Sequence, residues 1–89
     1  MEIEIKKAIL KNICYTELGY ERINKKLKNN FSEKEIEKNI SKIIKKTDVK
    51  NFFKKGKNFY ITNIENNIKI TINSNTYRVI TVDKIRGGF

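Results

Sequence analysis

Few side chains in this sequence could carry chemistry, and what is missing narrows the possibilities. There is no histidine, which removes the commonest general base at neutral pH and the commonest metal ligand. Cys14 is the single cysteine. It continues an apolar helical face with no histidine to draw off its proton, so a buried structural thiol is expected. The carboxylates are few and scattered, no metal-ligand set with workable spacing can be drawn, and neither metal nor cofactor is expected. Glycine-rich phosphate loops, nucleophile elbows and zinc-helix motifs are absent. Glu17 and Glu21, four residues apart, could pair as acid and base; the plainer reading is that they balance Lys25 and the helix dipole.

Positive charge is abundant. Twenty lysines and arginines face ten carboxylates, a formal net charge of +10. Lysine, asparagine and isoleucine dominate together, as adenine- and thymine-rich codons favour, so coding composition is a second source of the lysine excess. A field of this size attracts polyanions from either cause. Two stretches concentrate it. Lys34, Lys38, Lys42 and Lys45 recur at helical spacing and would neutralise phosphates. Lys54, Lys55 and Lys57 interleave with Phe52, Phe53, Phe59 and Tyr60, a pattern that can stack bases beside a phosphate track, although phenylalanines compete as core. Tyr60 is the aromatic best suited to a wet polar end, and with Arg78 would contact sugar or base.

The elements that must position these groups follow from periodicity. Ile5, Ile9 and Ile13, with Leu10 and Cys14 beside them, make one face of a first helix. Thr16 can cap a second, striped by Tyr20, Ile23, Leu27 and Phe31 and leaving at Asn29-Asn30. Ser32-Glu33-Lys34-Glu35 reads as a capping box opening a third, with Ile36, Ile40, Ile43 and Ile44 inward and an end near Lys46-Thr47. The period then changes. Gly56 supplies a turn between two aromatic segments, Ile68 to Ile72 alternates strictly, and Asn73-Ser74-Asn75 reads as a hairpin turn. Thr76 to Lys84 is expected as a strand with Tyr77, Val79 and Thr81 on one face and Arg78, Ile80 and Val82 on the other. The fold class is therefore α+β: about three N-terminal helices on one face of a C-terminal antiparallel meander of three or four strands. One domain is expected over 1–89, helical over about 2–46, sheet over about 49–85, with a short frayed tail at 86–89.

Several blocks resemble a small bacterial family known as domain of unknown function 3781. They are Thr16-Glu17-Leu18-Gly19 with Glu21-Arg22-Ile23, then Gly56-Lys57-Asn58-Phe59-Tyr60-Ile61, then Ile70-Thr71-Ile72-Asn73 with Tyr77, Ile80-Thr81 and Lys84-Ile85. The resemblance runs from about Ile9 to Ile85 and implies no established activity. The family pattern has histidines just before the Thr-Glu-Leu-Gly block and in the last two strands. Here Tyr15, Asn75 and Asp83 lie at or near those places, so histidine chemistry does not carry over. The layout is also similar to the metal-independent ribonuclease fold of barnase-like, colicin-type and RelE-type toxins. That resemblance implies Arg22 and Arg78 stabilising a pentavalent phosphate, Tyr77 or a lysine moving protons, and Thr81 on the last strand.

Three readings stand at this point. The first is a basic nucleic-acid-binding protein, RNA favoured over DNA. The second is a phage- or mobile-element-borne inhibitor that occupies an acidic or nucleic-acid-binding groove of a larger effector. The third is a metal-independent ribonuclease. No membrane partner is expected, because no run approaches the ~20 apolar residues a bilayer needs. A lone cysteine and the lack of a signal-peptide-like apolar stretch make the cytoplasm the expected compartment.

Overall fold

The computed structural model describes residues 3–85, and the tail expected at 86–89 lies outside the described residues. Three helices come first, α1 (Ile3–Asn12), α2 (Glu17–Leu27) and α3 (Glu33–Lys46), followed by a 3₁₀ turn at Val49–Asn51. Four strands complete the chain: β1 (Phe52–Lys55), β2 (Asn58–Asn63), β3 (Ile68–Asn73) and β4 (Val79–Lys84). They form one antiparallel sheet in the order β1-β2-β3-β4. The architecture is the α+β arrangement expected, with the helices on one face of the meander.

Local chemistry sets the helix boundaries. Thr16 accepts the Gly19 amide at 3.0 Å through its hydroxyl and caps α2, which closes at Lys28 in the left-handed region (φ 56°). Ser32 and Glu35 exchange bonds at the start of α3: the Glu35 amide donates to Ser32 Oγ at 3.2 Å, and the Ser32 amide to Glu35 Oε1 at 3.0 Å. The Ser32 amide and hydroxyl hold the Glu35 carboxyl below the usual carboxylate range. At the far end of α3 the Thr47 hydroxyl donates to the Ile43 carbonyl, while Lys6 Nζ reaches the carbonyls of Lys45 and Thr47, each at 2.7 Å. A cation there complements the negative end of the helix dipole.

One apolar layer joins the two halves. Ile9, Ile23, Ile36, Ile40 and Ile44 from the helices meet Phe52, Phe59, Ile61, Ile70, Ile72 and Val82 from the sheet. Each fully buried isoleucine contributes roughly 1.5–3 kcal/mol relative to exposure. Gly19 lets α2 lie close against the last strand: a Cβ there would sit 3.2 Å from Thr16 Oγ1 and 3.3 Å from the Val79 carbonyl oxygen.

Two local expectations are corrected. α1 ends at Asn12, and the chain then runs extended so that Cys14 pairs with the start of β4. Its amide donates to the Tyr77 carbonyl at 3.0 Å, and its carbonyl accepts the Val79 amide at 2.9 Å. Cys14 is consequently exposed, its thiol donating to the Thr76 carbonyl at 3.4 Å, and is no core thiol. Secondly, β4 begins at Val79 and carries a bulge: Ile72 pairs with Val79 and Thr71 with Thr81, leaving Ile80 unpaired between them. The extra residue breaks the simple alternation, so Val79 and Val82 both face the core.

Candidate nucleic-acid interface

The buried helix isoleucines pack on one face of the sheet; the second face is open at β1, where Phe53 is half-exposed, while at β3 and β4 Thr71 is buried and the Thr81 hydroxyl is out of reach of solvent. Register fixes what that second face displays. Phe53, Tyr60, Thr71 and Thr81 lie in one row across the four strands. Lys55, Asn58 and Asn73 form the adjacent row, completed by Arg78, whose carbonyl accepts the Asn73 amide at 2.9 Å. Thr62, Lys69 and Asp83 make a third row.

Aromatic rings and cations meet on this surface. Phe53 and Tyr60 stack with centroids 5.4 Å apart and planes 26° from parallel, and Phe53 remains 50% exposed. Lys69 Nζ sits 5.7 Å from the Tyr60 ring centroid, a cation–π distance. Because β1 is the edge strand, the Phe53 ring face turned away from Tyr60 meets no further strand. Lys57 belongs to the turn at the basic end of this face, where its carbonyl accepts from the Ser74 amide at 2.8 Å and from the Ser74 hydroxyl at 2.9 Å. Those bonds tie the β1–β2 turn to the β3–β4 turn. Asp83 is paired with Lys26 at 2.9 Å, the single ion pair among the described residues.

The expected site residues divide between two sides of the molecule. Tyr60, Lys55 and Arg78 share the second face, with Lys57 at its end. Lys54 pairs with Phe59 and so lies toward the helical side of the edge strand, exposed to solvent. Lys34, Lys38, Lys42 and Lys45 are all exposed on α3, in the layer behind the sheet, and of these four only Lys42 lines a cleft. A single strand lying on the second face does not reach the α3 lysines without wrapping the domain.

The four residues implied by the ribonuclease resemblance are also separated. Tyr77 adopts a positive φ of 59° and packs on the core, its ring 6.2 Å from Phe59. Thr81 belongs to the opposite face, with its hydroxyl buried and without a hydrogen-bond partner among the described residues. Arg22 is exposed on α2 and Arg78 on the sheet.

Lys69 joins the site without having been singled out from sequence, and of the aromatics named there Phe53 is the one that the register sets beside Tyr60. Two consecutive aromatics in a strand must point to opposite faces, so Phe52-Phe53 already required one ring outside. Lys69 stands between Ile68 and Ile70, and their burial forces it onto the second face.

A second aromatic cluster lies among the helices. Tyr15 and Tyr20 stack at 5.3 Å, 9° from parallel, and the Tyr20 hydroxyl donates to Glu37 Oε2. Burial, then the hydrogen bond to and charge of Glu37, push the Tyr20 phenol up to about 12; burial and the Glu37 charge push Tyr15 up as well. Phenols held protonated in this way are poor bases, and the cluster ties α2 to α3. Among the described residues no group of three or more histidine, cysteine, aspartate or glutamate side chains could hold a metal ion, and no helix is long and apolar enough to cross a membrane.

Three helices followed by a four-stranded antiparallel meander define a small α+β protein. The chain belongs to the family described as "Protein of unknown function (DUF3781)", whose model matches residues 7–83. No curated protein and no solved structure matches it.

Proposed function

We propose that this protein binds single-stranded nucleic acid, RNA in preference to DNA, on the sheet face that is open at β1. The observation that carries the reading is the Phe53–Tyr60 stack, half-exposed and flanked by Lys55 and Lys69. An aromatic platform accepts any base, because every base has a π face, and the ammonium groups beside it follow the phosphates. The neighbouring Asn58, Thr62 and Asn73 side chains supply donors and acceptors for 2′-hydroxyls, which is the basis for preferring RNA. The side chains for binding thus lie in adjacent rows of one rigid sheet, whereas those for cleavage are split between its two faces.

Fluorescence anisotropy with a labelled, unstructured oligonucleotide tests this. Removing one stacked ring costs ~1–3 kcal/mol, roughly a 5- to 150-fold loss of affinity, so Phe53→Ala and Tyr60→Ala should each weaken binding by at least that lower factor. Contacts from Lys55, Lys57, Lys69 and Arg78 imply a log–log salt slope of about −3 on single strands. Lys34→Glu with Lys38→Glu, on the far side, should change affinity far less. Ring variants that bind like wild type, or a flat salt response, would refute the reading.

A further inference from the structure

Behind the sheet, an open cleft of about 550 Å³ lies where the end of α2, the middle of α3, the β2–β3 turn and the end of β4 converge. Its volume is in the range of sites for small organic ligands. Lys42 and Lys46, one helical turn apart on α3, face into it from one wall, and Lys84 comes from β4. No carboxylate lines the cleft, and no ion pair among the described residues reaches any of these three ammonium groups. Its floor is apolar, formed by Leu27, Ile43 and Ile68, with the partly exposed ring of Phe31 at one lip. The side-chain amides of Asn39 and Asn66 complete the lining used here.

Both lips are fixed by buried or half-buried asparagines. Asn24 grips Phe31 by both backbone groups: its Nδ2 donates to the Phe31 carbonyl at 3.0 Å, and its Oδ1 accepts the Phe31 amide at 3.1 Å. Asn63 does the equivalent for the β2–β3 turn. Its Oδ1 accepts the Asn66 amide at 2.8 Å and Asn66 Nδ2 at 3.0 Å, while its own Nδ2 is anchored to Thr47 Oγ1 at 2.8 Å. The cleft is therefore shaped before any ligand arrives, which lowers the ordering cost of binding.

We propose that this cleft is a binding site for a nucleoside phosphate. The three unpaired ammonium groups take the phosphate, the apolar floor and Phe31 take the planar base, and the asparagine amides meet the base edge. The site is separate from the sheet face and stands whether or not that face binds RNA.

The test is an NMR titration of the folded protein with adenosine 5′-monophosphate, guanosine 5′-monophosphate, adenosine and inorganic phosphate, at low salt. The expected result is saturable binding of at least one nucleotide, with amide shifts at Phe31, Lys42 and Asn66. That nucleotide should bind at least tenfold tighter than either adenosine or inorganic phosphate. Lys46→Ala and Lys84→Ala are solvent-side changes that leave the fold intact, and each should weaken nucleotide binding about tenfold or more, the usual loss for a charge-assisted contact. Phe31→Ala should weaken nucleotide binding and leave phosphate binding unchanged. The Phe53→Ala/Tyr60→Ala double variant should bind the nucleotide normally even if its RNA affinity is lost, so the two sites fail independently. No saturable binding at millimolar nucleotide would overturn the proposal. So would shifts centred on Tyr60, phosphate matching the nucleotide, or lysine variants that bind like wild type.

Discussion

Replacing Asn63 by aspartate should make the stability of this protein depend on pH in a defined direction. Asn63 is 5% exposed and donates to Thr47 Oγ1, whose own proton is already given to the Ile43 carbonyl at 2.7 Å. Asn63→Asp preserves shape and the acceptor used by Asn66 but sets a carboxylate oxygen against the Thr47 oxygen with no proton between them. Burial and the lost bond both favour the protonated acid, so its folded pKa must rise above the ~3.9 of an unfolded aspartate. The folded variant then holds its proton more tightly than the unfolded chain. Below about pH 3.9 the protonated acid donates to Thr47 and the variant approaches wild type. As pH rises through the folded pKa, stability falls by up to ~1.4 kcal/mol per unit. A rise of about two units, common for a buried carboxyl, gives ~3 kcal/mol at neutral pH and a Tm lower by roughly 10–20 °C in a domain of this size. Thermal melts of variant and wild type, compared at pH 7 and at the lowest pH where wild type still melts cooperatively, measure the difference. Asn63→Ala is the control, since it loses the same bonds at every pH. An aspartate variant whose deficit is equal at both pH values would refute the role assigned to the Asn63 amide.

Ser32→Ala removes one half of the capping box and should cost about 1 kcal/mol, read as a shift in denaturant midpoint. Cys14 should react with a thiol reagent in the native protein as an accessible thiol does; modification that waits for unfolding would contradict its exposed position. Tyr15 and Tyr20 should resist phenolate formation, so the 295 nm absorbance of the folded protein should keep an unreacted fraction past pH 11. Because the unfolded chain ionises first, stability should fall as pH climbs from ~10 toward about 12. A spectrum fully developed near pH 10 would contradict the Tyr20–Glu37 contact.

What sequence revealed divides along physical lines. Capping is chemistry among neighbours, so Thr16, Ser32 and Glu35 announced the starts of α2 and α3 with no knowledge of the rest. The alternation of Ile68, Ile70 and Ile72 is equally local, and so is the turn at Gly56, which adopts φ 61°. Misreadings arose where a distant partner decides. Cys14 continues the helical spacing of Ile5, Ile9 and Ile13, yet leaves the helix because its backbone is needed by β4. Ile80 fits an alternating strand until the register against β3 leaves it unpaired. The second sheet face was partly visible, since Tyr60, Lys55 and Arg78 were singled out, but grouping them with the α3 lysines required knowing which layer each joins. The cleft was not legible at all: Phe31, Lys46, Asn66 and Lys84 belong to four separate segments, and nothing in their spacing announces that they meet.

The pairing of Cys14 with the beginning of β4 also bears on how the chain acquires its structure during synthesis. The helices emerge from the ribosome first, with Ile9, Ile23, Ile36, Ile40 and Ile44 lacking the surface they are shaped to cover. The meander is made of hairpins between consecutive strands, whose short loops close quickly once both partners are out. β4, the last of these four strands to be made, lies against α2 and receives both the Cys14 backbone and the Gly19 approach. A nascent chain stopped before Val79 would therefore carry three amphipathic helices with an unfinished docking surface. Translation has to run nearly to Lys84 before the helical half can be buried, and until then those isoleucine faces are suitable clients for chaperones.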